Sequence, residues 1–98
     1  MQAAFARLRA NWQILRRAAD TFGAEYEQMS YAALQQSAEM LSGQRVFEGH
    51  TLLIAAEAYD KKANDDLCFC VDVSGLPTLL GIKPSYHFFK RPDGSVYY

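Results

Sequence analysis

The apolar residues at the start of the chain recur as Phe5, Leu8, Trp12, Leu15, Ala19 and Phe22, three and four residues apart, whereas after Gly43 the hydrophobic period drops to two. The first spacing places side chains on one stripe of an α-helix, and the second places them on one face of a strand. The two periods are segregated along the chain rather than alternating, and this constrains the fold more than any other feature. Without a repeated strand–helix–strand pattern, a parallel dinucleotide-binding sheet is not expected. The expected class is α+β: two N-terminal helices followed by an antiparallel sheet of four to five hairpin-linked strands.

The N-terminal amphipathic helix is predicted over residues 1–22, with Gly23 as its C-terminal stop. Ser30 has the chemistry of an N-cap, because its hydroxyl can accept from backbone N–H groups left free in a first turn. Tyr31, Leu34, Ala38 and Leu41 then step at helical spacing, which predicts a second helix ending at Gly43. Strands are predicted over 45–48, 52–59, 66–73, 86–91 and 95–98. In 66–73, Leu67, Phe69, Val71 and Val73 face one way, and Cys68, Cys70 and Asp72 the other. Gly49-His50, residues 60–65 and Pro92-Asp93-Gly94 are the predicted reversals.

A length of 98 residues predicts one domain over 1–98, with helix and sheet core in 30–98. Half of the residues are apolar and 21% are charged, a balance that argues against disorder. The net charge of −1 provides no global attraction to nucleic acid or membrane. Its distribution is uneven, however: the first 19 residues carry Arg7, Arg9, Arg16 and Arg17 and no acid. Arg7 and Arg9 interrupt any signal-peptide core, and the apolar seam runs on into the body of the chain, unlike a detachable transit peptide. No apolar run is long enough for a transmembrane segment. The two cysteines, Cys68 and Cys70, are spaced poorly for a disulfide, so reduced thiols and a cytoplasmic location are expected.

Chemistry-bearing motifs are sparse. Cys68, Cys70 and Asp72 share a strand face, and His87 on a later strand would complete a ligand set if it projected there. A second paired ligand motif is missing, so packing is favoured over metal. Nothing in the sequence places a base beside either thiol, and there is no glycine-rich phosphate loop. No catalytic residue, metal or cofactor is therefore expected.

Contact features are stronger. Arg9 and Arg16 flank the helical seam, where their stems can cover apolar surface while their heads meet acids. Phe88 and Phe89, being adjacent, must point to opposite sheet faces; if the helices cover one face only, an aromatic patch containing Phe89 is left partly exposed, the alternative being that the first helix or cross-strand neighbours cover it. If the second helix covers the sheet, the seam Phe5-Leu8-Trp12-Leu15 is surplus and pairs with a second copy or another protein. On that reading residues 1–20 are an assembly element, removable without unfolding the sheet. The expected function is an accessory or protein-interaction module, self-associating or docking on a larger protein. Its contact residues would be Phe5, Leu8, Arg9, Trp12, Leu15, Arg16, Phe89 and Tyr97. One alternative is a nucleic-acid-associated protein using the arginine helix and the sheet aromatics. Another is a small ligand- or metal-binding domain at the Cys68/Cys70 face.

Overall fold

The computed structural model describes residues 2–36, 41–61 and 65–98. Helix α1 runs over Gln2–Glu27 and a short helix α2 over Tyr31–Gln36. Five strands follow: β1 Leu41–Phe47, β2 His50–Lys61, β3 Asp66–Ser74, β4 Ser85–Lys90 and β5 Val96–Tyr97. A 3-10 turn over Leu79–Gly81 interrupts the β3–β4 connection. The strands form one antiparallel sheet in the order β1-β2-β3-β4-β5, so the α+β expectation holds.

Two glycines read as helix stops have other roles. Gly23 lies inside α1, where an added Cβ would fall 2.2 Å from Cδ1 of Tyr86. The missing side chain lets the Tyr86 ring seat directly on the helix backbone. The helix ends five residues later than predicted, since the glycine serves this contact rather than a local cap. Gly43 is a strand residue of β1, paired with Ile54. The second helix is correspondingly shorter than predicted: Leu41 begins a strand, and residues 37–40 lie outside the described residues. Its start is as expected, with the Ser30 hydroxyl accepting from Ala33 N at 3.1 Å.

The β1–β2 reversal falls on Glu48 and Gly49, one residue earlier than predicted, with φ of 50° and 79°. Positive φ at both positions matches the right-handed twist of the flanking strands. Glu48 tolerates this conformation while its carboxylate is held by a two-pronged bond from Arg17, at 2.7 and 2.8 Å. Residues 62–64 of the β2–β3 reversal lie outside the described residues.

The core is formed where one sheet face meets α1. Leu15, Ala18, Ala19 and Phe22 of α1 are buried, as is Leu34 of α2. They pack against Leu52, Ile54 and Ala56 of β2, Leu67, Phe69, Val71 and Val73 of β3, and Phe88 of β4. The inward set of β3 is the one its alternation predicted. Phe22 meets Phe47 edge-on, and Arg45 lies over the Phe22 ring while bonding Glu25. Burial of side chains of this size contributes about 1.5–3 kcal/mol each. Because Leu15, Ala18 and Ala19 belong to the core, removing residues 1–20 is expected to strip part of the cover from the sheet.

The far end of α1 is fixed by polar contacts. Lys90, itself buried, donates to the Glu27 carbonyl at 2.8 Å, a cation placed at a helix C-terminus. The Glu27 carboxylate accepts from the hydroxyls of Tyr86 and Tyr98. Burial, together with the hydrogen bond to Glu27, pushes the Tyr86 phenol well above its usual range.

Candidate functional site

The predicted contact residues divide into two groups on different parts of the molecule. Phe5, Leu8, Arg9 and Trp12 lie on the first three turns of α1, which extend past the part of the helix that covers the sheet. The β3–β4 connection folds back beside them. Asn11 Nδ2 donates to the Pro77 carbonyl at 2.9 Å and Arg16 donates to the Ser85 carbonyl at 3.2 Å, tying both ends of this loop to the helix. Between helix and loop runs an apolar groove of about 240 Å³, lined by Phe5, Leu8, Arg9, Trp12, Leu79 and Ile82. The helical wall contributes residues at i, i+3, i+4 and i+7, the spacing of one helix face.

The apolar surface around this groove is open. Phe5 is 56% exposed, Trp12 37% and Ile82 57%. Leu80 is 87% exposed, with φ of 55° that turns the loop outward at its tip. The loop residues were not among the predicted contacts. Their signal was present in the sequence as three large aliphatic residues within a Gly- and Pro-rich connection, where polar residues are the norm.

Leu15 and Arg16, predicted alongside them, have different places. Leu15 is core. Arg16 is engaged with Asp20 as well as Ser85, and Arg17 is paired with Glu48. Arg7 and Arg9 make no ion pair with any described residue.

The second group occupies the sheet face turned away from α1. Strand register places Glu57, Cys70 and His87 in one row across β2, β3 and β4, and Tyr59, Cys68, Phe89 and Tyr97 in the next. Phe89 and Tyr97 stack with ring centres 4.9 Å apart, and the Arg91 guanidinium lies 4.2 Å from the Tyr97 ring centre. The aromatic pair therefore lies on the opposite side of the sheet from the arginines of α1, so no continuous basic and aromatic surface joins them.

His87 bridges two partners: Nδ1 is 3.0 Å from Cys70 Sγ and Nε2 is 3.0 Å from Ser85 Oγ. Burial, then the neighbouring Cys68, Asp72 and Glu57, pushes the Cys70 thiol up to about 12. The group is thus a protonated thiol at neutral pH and can donate to a ring nitrogen of His87. A nucleophilic cysteine requires the thiolate, which these acids disfavour. Cys70 also sits on a strand paired along both edges, with Glu57 and with His87, so neighbouring backbone N–H groups are committed to the ladder rather than to a developing oxyanion. Among the described residues, no three His, Cys, Asp or Glu side chains converge to hold a metal ion. The Cys68, Cys70, Asp72 and His87 ligand set considered from sequence does not assemble among the described residues: Cys70 meets His87 and the Cys68 side chain, but the four do not converge on one point.

No helix among the described residues is long and apolar enough to cross a membrane. No family model, curated protein or solved structure matches the chain.

Proposed function

We propose that this chain is a non-enzymatic interaction module that docks on another protein through the N-terminal overhang of α1. The observation that carries this reading is the groove wall: Phe5 and Trp12 stay partly exposed beside Leu79 and Ile82, while the same helical seam is buried from Leu15 onward. Full burial of a large apolar side chain contributes about 1.5–3 kcal/mol, and these partly covered side chains forgo a fraction of it that a partner can recover. Contiguous apolar patches rimmed by polar groups mark contact surfaces, and Trp, Phe and Arg are enriched in them. The hydrogen-bonded group of Cys70, His87 and Ser85 supports an enzyme less well, because its thiol is held protonated. A nucleic-acid reading is weakened by the pairing of Arg16 and Arg17 and by the separation of the arginines from Phe89 and Tyr97.

A photo-crosslinking residue at Phe5 or Leu80 tests the reading in cells that make the protein. Discrete protein adducts are expected from those positions and not from Gln35, which is also exposed but lies on α2. Adducts no more frequent at 5 and 80 than at 35 would overturn it.

A further inference from the structure

The groove has an electrostatic property that its apolar lining conceals. Its helical wall belongs to a run, residues 2–19, without Asp or Glu, and its loop wall, residues 75–84, has none either. Together these walls carry Arg7, Arg9, Arg16, Arg17 and Lys83. Arg16 and Arg17 are balanced by Asp20 and Glu48. Arg9 lines the groove itself and meets no acid among the described residues, and Arg7 on the same overhang meets none there either.

We infer that the occupant of this groove is a short amphipathic segment of another protein, with apolar side chains that enter between helix and loop and Asp or Glu side chains that meet Arg9 and Arg7. This rests on the docking reading above and names the partner's chemistry. Charge argues against a second copy, because joining two overhangs would bring Arg9 and Arg7 of each together with no acid from either wall. Shape argues against a lipid surface, because a groove between two walls admits a protruding side chain and a flat bilayer face does not enter it. The Phe5 to Trp12 wall is about 10 Å long at the helical rise, enough for about two turns of a bound helix. The apolar contacts supply affinity, and the acids set orientation and partner choice.

The chain has one tryptophan, Trp12, so its emission reports directly on the groove. The probes are a helical peptide with Leu on one face and Glu beside it, the same peptide with Lys for Glu, and phosphatidylglycerol vesicles, each added to the full chain, plus a dilution series of the protein alone. The Glu peptide is expected to shift Trp12 emission to the blue, and its binding to weaken severalfold as salt screens the contact. Arg9→Glu is expected to weaken that binding by about tenfold or more and to favour the Lys peptide. Equal binding of both peptides would overturn the acidic requirement and leave apolar docking standing. A shift that depends only on protein concentration would make the occupant a second copy, again overturning this inference but not the docking surface. A shift with vesicles alone, or with none of the probes, would overturn both.

Discussion

Helix α1 carries one apolar seam with two fates. From Leu15 to Phe22 the seam is buried against Leu52, Phe69 and Phe88, whereas from Phe5 to Trp12 it stands beside a loop in water. The residue types and spacing barely change between the two halves. What changes is the length of sheet available beneath them. Periodicity therefore reports that a helix forms and which stripe is apolar, but not what covers that stripe. The cover is a tertiary fact, and only the covered half belongs to the stability of the fold.

The largest expected effect tests this division directly. Leu15→Ala leaves a cavity in a fully buried site and should destabilise the protein by about 2–5 kcal/mol. Phe5→Ser removes a larger side chain from the same seam, yet should change stability by no more than about 0.5 kcal/mol, since the site is open and the two residues have similar helix propensity. Chemical denaturation of both variants checks the pair. Equal losses would mean that the overhang is folded into the core energetics and is not a free docking wall.

Much of this division was legible in part. The seam, the inward set of β3 and the Pro92-Asp93-Gly94 reversal follow from local period and turn chemistry, and local signals sufficed for them. Gly23 and Gly43 were misread because a glycine after an apolar run has the same local appearance as a helix cap, a strand residue or a close contact. Only Tyr86, more than 60 residues away in sequence, gives Gly23 its role. The groove was half legible for the same reason. Phe5, Leu8, Arg9 and Trp12 were readable as an apolar and basic face, but Leu79 and Ile82 join them through the Asn11 contact to Pro77, a loop–helix pairing with no sequence period.

Gly23 sharpens the comparison within the packed half. Alanine there gains about 1 kcal/mol of helix propensity, and its methyl must displace the Tyr86 ring it would strike at 2.2 Å. The ring is anchored through its hydroxyl to Glu27, so it yields poorly. With overpacking at about 1–3 kcal/mol, Gly23→Ala should destabilise the protein by up to about 2 kcal/mol net, toward the upper end because the anchored ring yields poorly. One methyl on the covered half is thus expected to cost more than the whole Phe5 ring on the overhang. A raised melting temperature in Gly23→Ala would show instead that the ring moves freely and that α1 is held less tightly than its burial implies.

The smallest effect separates the arginines of the two halves. Arg17 on the packed half is bound by Glu48 at the strained β1–β2 turn, and Arg9 on the overhang pairs with no acid among the described residues. The hydrogen bond from Arg17 holds the Glu48 carboxyl below its usual value. A carboxyl with a lowered folded-state pKa contributes stability above its unfolded value, and that contribution is lost as pH falls through the folded one. Glu48→Gln should therefore melt slightly below the parent at pH 7, and the gap should close in acid, where Glu48 is protonated and resembles Gln. Both charges are exposed, so the gap is expected to be small and to shrink with salt. Arg9→Gln, with no ion pair to lose, should show no gap that closes this way. If the Glu48→Gln gap persists in strong acid, the side chain acts through the turn geometry rather than its charge, and the contrast between a paired arginine on the core half and an uncommitted one on the overhang would rest on Arg9 alone.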